Sequence, residues 1–136
     1  MKLLLFYAHS FSYKTAAKSL ATVPDVEKNE SVANGVVIFF HVETEDVEKR
    51  GKVIQKFVKN TKWLCGKFAT KDVVLHSFNH LSASKAEPDF SKMLLDEVVE
   101  RLERTGYLVM VTPFGYFNEF NLHVAGDSLA KVFKEF

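Results

Sequence analysis

The hydrophobic period of the chain changes between Glu43 and Val47, and that change limits the folds open to it. The run GVVIFFHVE, residues 35–43, is dense in β-branched and aromatic side chains and predicts a strand. From Val47 to Cys65 the spacing turns helical: Val47, Gly51, Ile54, Val58 and Cys65 fall on one stripe, with Phe57 and Leu64 beside it. The same switch recurs downstream. Residues 73–78 predict a strand, and Phe90 to Thr105 a helix with Leu94, Leu95, Val98, Val99 and Leu102 on one face. Pro88 and Asp89 suit the start of that helix and Gly106 its stop, while Glu97–Arg101 and Glu100–Arg104 form favourable four-residue pairs on its outer face.

Around these two units the pattern is shorter. Residues 2–8 are an apolar run fit for a buried strand, and SFSYKTAAKSL reads as a loop followed by a more exposed strand. Residues 24–34 read as a polar surface loop, residues 107–111 and 119–125 as strands, and the last ten residues as either period. About six strands and two long helices result, with strands early and late and helices between. This predicts a single α+β domain over residues 1–136: a mixed six-stranded sheet, or a partly closed barrel, with both helices packed on it.

The bulk numbers exclude several classes. With 136 residues, 47% apolar and 26% charged, the composition is that of an ordinary globule with one core. A net charge of +1 does not by itself mark a nucleic-acid binder. One cysteine, Cys65, excludes an internal disulfide and a cysteine-based zinc site and fits a reducing compartment. The opening MKLLLFYAHS lacks a cleavage pattern, so it reads as a first strand and not a signal peptide. No apolar stretch is long enough to span a bilayer, so a cytoplasmic protein without a membrane partner is expected.

Three features can carry chemistry. From Lys49 to Lys71 eight residues are basic and none is acidic. Lys49, Lys52, Lys56, Lys59 and Lys62 lie opposite the apolar stripe, with Trp63 among them. Such a face is either a solvated surface or a phosphate-tracking one that adds affinity without sequence information. The second feature is the polar strand end at Asn79 and His80. A lone histidine is more often a packing residue than a catalyst, and His76, on the same strand parity, finds no third ligand for a metal. The third is TPFGYFNEF, residues 112–120. Phe114, Tyr116 and Phe117 can fill a core, or wall a pocket for a planar ring, with Gly115 letting a ligand approach the backbone. No nucleophile elbow or phosphate loop occurs, and Cys65 falls on the buried stripe. An active site here would therefore activate water.

FNHLS at 78–82, KAEP at 85–88 and PFGYF at 113–117, after the opening MKLLLFYAHSFSY, resemble the signature segments of the archaeal threonyl-tRNA synthetase N-terminal editing domain. Order, spacing and length agree along essentially the whole chain. The resemblance implies the fold of D-aminoacyl-tRNA deacylases, a homodimer, and hydrolysis of serine misattached to threonine tRNA. It implies no cofactor, and a place at the N-terminus of a synthetase or on a separate chain editing in trans. In such a domain the terminal adenosine sits among main-chain groups, and its ribose 2′-hydroxyl helps position or activate water. By position, His80 is the site histidine and Asn79 precedes it. Phe114, Gly115, Tyr116 and Phe117 form the aromatic segment against the adenosine, and Val42 and Glu43 end the strand that presents backbone to the aminoacyl group. One departure stands out. The family's lysine after the aromatic segment and its late glutamate are replaced by Asn118 and Lys131, so Lys131 is expected to supply the amine that Asn118 lacks.

Two other readings remain. A D-aminoacyl-tRNA deacylase would carry SQFT and GPxT segments, and neither occurs. A noncatalytic RNA-binding module would use the lysine face alone, with His80 as packing.

Overall fold

A computed structural model describes all 136 residues. Six strands and two helices follow in the order β1 (Lys2–Lys18), β2 (Asn29–His41), α1 (Arg50–Lys67), β3 (Asp72–Ser77), α2 (Pro88–Arg104), β4 (Leu108–Val111), β5 (Tyr116–Val124) and β6 (Lys131–Glu135). They form one mixed sheet in the order β4-β3-β2-β1-β5, with β6 also on β1. The sheet does not close into a barrel. β2, β3 and β4 are parallel, as their helical crossovers require, and every pairing made by β1 is antiparallel.

Both helices cover one face. Leu3, Leu5, Val36, Ile38, Phe40, Val73 and Leu75 of the sheet pack there against Ile54, Phe57 and Leu64 of α1 and Leu94, Val98 and Leu102 of α2. The expected α2 face is buried, with Val99 at its margin, and both four-residue ion pairs form. Val47 and Gly51 leave the expected α1 stripe. Helix α1 begins only at Arg50, after a 3-10 turn, so Val47 stays 51% exposed. No helix is long and apolar enough to cross a membrane.

The second face has no helix and a smaller core around Phe11, Tyr13, Val37, Phe39 and Val74. Strand β1 reaches both cores because its alternation reverses. Leu3 and Leu5 join the helical core, but Phe11 and Tyr13, of the same parity, join the other. The reversal falls at His9, where the β5 register slips, opposite Asn34 at φ 54°. A bulge bends a strand and re-aims the side chains beyond it. A second slip, at Ala16, lies opposite the start of β5, and Phe120 of β5 packs on Phe39 and His76. The loop expected within SFSYKTAAKSL is therefore part of one continuous strand that bends at His9, and half of the expected 24–34 loop is the start of β2.

Candidate functional site

Strands β3 and β4 end side by side, and a cavity of about 420 Å³ opens beyond their carboxyl ends. That is the usual ligand position on an open sheet and a usual ligand volume. Asn79 and His80 form one wall. Phe114, Gly115, Tyr116, Phe117 and Asn118 form another. The two segments singled out in the sequence thus meet in one space.

The turn is fixed by its glycine. Gly115 has φ 80°, and a Cβ there would lie 2.6 Å from Val23 Cγ1. Its carbonyl accepts the Ser19 and Leu20 amides at 2.7 and 3.2 Å. The Tyr116 hydroxyl donates to the Pro24 carbonyl at 2.6 Å and accepts the Val26 amide at 2.8 Å. The aromatic segment therefore straps down residues 19–26, and Ser19 and Leu20 join the cavity wall.

The opposite wall hangs on the end of β2. His41 Nε2 donates to the Ser84 carbonyl at 2.6 Å and Nδ1 accepts the Leu81 amide at 3.1 Å. The Val42 carbonyl accepts the Ala86 amide at 3.0 Å. Glu43 accepts Ser82 Oγ at 2.7 Å and the Met1 ammonium at 2.5 Å. Burial works against that carboxylate, but these two hydrogen bonds and the nearby positive charges outweigh it and hold Glu43 at about 2. Val42 and Glu43 do not line the cavity. Their place is behind its wall, where they hold the 82–86 segment.

His76 forms part of the cavity floor. Its Nδ1 lies 2.9 Å from Thr112 Oγ1, and its ring touches Phe39 and Phe120 at centroid distances of 4.8 and 5.2 Å. Burial pushes this imidazole down to about 4. His80 is exposed and stacks edgewise on Phe78, centroids 4.9 Å apart. Asn118 gives its amide to the Tyr116 carbonyl at 3.4 Å, while its Oδ1 is buried with no partner. Among the lining residues there is no aspartate, glutamate or cysteine. Cys65 is buried elsewhere, its thiol pushed up to about 12 by desolvation. No three His, Cys, Asp or Glu side chains gather as metal ligands would.

Lys131 is not at this cavity. It opens β6 opposite Phe6 of β1, whereas Asn118 lies opposite Thr15, and its amine donates to the carbonyls of Ala125 and Asp127 at 2.8 and 3.3 Å. Within one chain its amine is engaged by those carbonyls and is not among the groups lining the cavity. Lys49, Lys52, Lys56 and Lys59 are exposed, as their spacing predicts. The sequence reading missed Ser19, Leu20, Lys85 and Ser91, all in the cavity wall. Of these, Lys85 alone was within a signature segment marked in the sequence, as the first residue of KAEP.

The family described as the Archaea-specific editing domain of threonyl-tRNA synthetase has a sequence model that matches residues 1–136. Similar curated proteins are threonine–tRNA ligases. That of Methanosphaera stadtmanae is 31% identical over 134 residues, and that of Thermococcus onnurineus 29% over 135, each alignment covering 97% of this chain. The chain spans only 22% of the length of either. Among solved structures, the c-Myc DNA unwinding element binding protein has a similar fold, with a TM-score of 0.66, 14% identity, and 99% and 98% of the two chains covered.

Proposed function

From the premise that the chain belongs to the archaea-specific editing domain family of threonyl-tRNA synthetases, we propose that it hydrolyses the ester of serine misattached to threonine tRNA. The need is physical. Serine is threonine less a methyl group, and a pocket gains only about 1–3 kcal/mol from one methyl, so a separate site must remove the error. The observation that carries the reading is that the Asn79–His80 strand end and the aromatic turn wall one cavity without a carboxylate or a thiol.

An activated ester asks little of such a site. Water adds to the carbonyl carbon, the bond to the ribose 3′-oxygen breaks, and that oxygen recovers the proton the water gives up. Serine and free tRNA result. Because the cavity lacks a carboxylate base, the neighbouring 2′-hydroxyl of the substrate takes part in placing the water, with His80 orienting the ribose and Asn79 and Asn118 offering polar groups beside it. Phe114, Tyr116 and Phe117 supply flat surface for the adenine.

The tRNA backbone follows the exposed face of Lys49, Lys52, Lys56 and Lys59, placing the work in the cytoplasm beside a threonyl-tRNA synthetase. On the helix-free sheet face Phe133, opposite Leu4 of β1, is 50% exposed, and an apolar side chain left open there supports a homodimer. Incubation with seryl-tRNA(Thr) beside threonyl-tRNA(Thr) tests the reading. Release of free serine with threonine retained is expected. Intact seryl ester overturns it, and loss of a D-aminoacyl ester instead points to chirality proofreading.

A further inference from the structure

Lys85 is the only lysine, arginine, aspartate or glutamate that lines the cavity. Its side chain enters no ion pair or hydrogen bond with another residue. Its backbone, by contrast, is fixed on three sides. The Ser84 carbonyl before it accepts His41 Nε2 at 2.6 Å, its own carbonyl accepts the Thr44 hydroxyl at 3.2 Å, and the Ala86 amide after it donates to Val42 at 3.0 Å. A cation on a pinned stem, at a cavity with no carboxylate to neutralise it, is matched to an anion. Helix α2 starts at Pro88 in the same wall, and its acidic Glu87 and Asp89 line the adjoining cavity, not this one, so Lys85 is the charge this cavity presents.

The charged tip of a tRNA offers one anion close to its ester: the phosphate that joins the last two nucleotides. Its other charge, the α-ammonium of the amino acid, is repelled by Lys85. We propose that Lys85 is a positioning residue that holds this terminal 5′-phosphate and so sets the direction in which the aminoacyl adenosine lies in the cavity. The phosphate faces the 84–86 loop, and the ammonium turns away from it, toward the wall where Asn118 Oδ1 lacks a donor. This rests on the ester-hydrolase reading of the same cavity, but it is separable from it.

The test compares adenosine 5′-monophosphate with adenosine, by calorimetry, on the intact protein and on Lys85→Ala and Lys85→Arg. The parent should bind the monophosphate about tenfold more tightly than adenosine, as a charge-assisted contact at a half-open site does. Lys85→Ala should bind both alike, and Lys85→Arg should keep most of the difference. Kinetics supply a second readout. Lys85→Ala should raise KM for seryl-tRNA(Thr) with kcat little changed, yet act normally on 3′-O-seryladenosine, which has no phosphate. A parent that does not distinguish the two nucleosides, or binds neither, overturns the proposal, as does equal loss on both esters. If the parent leaves seryl-tRNA intact, the deacylase reading falls, while the nucleotide comparison still decides the role of Lys85.

Discussion

The hydroxyl of Tyr116 holds the Pro24 carbonyl at 2.6 Å from a position ninety-two residues away in sequence, and the same oxygen takes the Val26 amide. One phenol thus closes both ends of a short backbone segment, which in turn leans on the turn beside the cavity. Tyr116→Phe removes both bonds, leaving the Val26 amide, whose bond is part-buried, without its partner and returning the exposed Pro24 carbonyl to water. A loss of about 1–2 kcal/mol is expected, with faster amide exchange at Val26 and little change elsewhere. Unaltered exchange at Val26 would mean the strap is held by other contacts.

Gly115→Ala has two separate costs. One is the left-handed backbone at φ 80°, the other the collision with Val23. The single variant should lose about 1–3 kcal/mol and much of its deacylase activity. Adding Val23→Ala should restore only part of that loss, because the backbone cost remains. Full restoration by the second substitution would assign the whole effect to the collision.

Acid should weaken the fold through His76. In the unfolded chain its imidazole protonates near 6.5, and in the folded chain only near 4. Between those values the unfolded chain binds more protons, so stability is complete above about pH 6.5 and falls as the pH drops toward 4, by up to about 3 kcal/mol. Glu43, held at about 2 against an ordinary 4.5, adds a further loss below pH 4.5. Denaturant unfolding of the parent and of His76→Gln at pH 7.5 and pH 5 separates the two. The parent should lose stability over that interval and the variant should lose less.

The lysine face is tested by salt. Changing Lys49, Lys52 and Lys59 to glutamate should weaken tRNA binding and lower the slope of log affinity against log salt by up to about 3, one for each phosphate contact. The same slope in parent and variant would leave these lysines as plain solvated surface.

Lys131→Ala should deacylate at the parent rate. Its amine caps the Ala125 and Asp127 carbonyls, so the change should appear as a modest loss of stability instead. A collapse of kcat with the fold intact would return Lys131 to the chemistry.

The helices and the central strands were legible because their side chains obey one period throughout. Leu94, Leu95, Val98 and Leu102 repeat as a helix must, and GVVIFF is buried on both faces. The long first strand was not legible. Its bend at His9 reverses which side each residue faces, so a rule of strict alternation cuts it in two. The start of β2 was read as a loop because residues 29–31 are exposed and polar while still paired to β1. At the site, His80 and the aromatic turn were found from local pattern. Lys85 stood out only as part of KAEP, and its place at the cavity was not legible, because it depends on three bonds from the loop's backbone to residues more than forty positions earlier. The position of Lys131 was not legible for a related reason: the register of β6 on β1 is written in no short motif.

Strand β1 pairs with β2 on one edge and with both β5 and β6 on the other. During synthesis by the ribosome the first edge is covered early, by a hairpin, while the second waits until β5 and β6 emerge. For most of that interval a seventeen-residue strand carries a bare ladder of amides and carbonyls open to a neighbouring nascent chain. Slower translation through β5 and β6 should therefore lengthen that exposure and raise the share of product lost to aggregation.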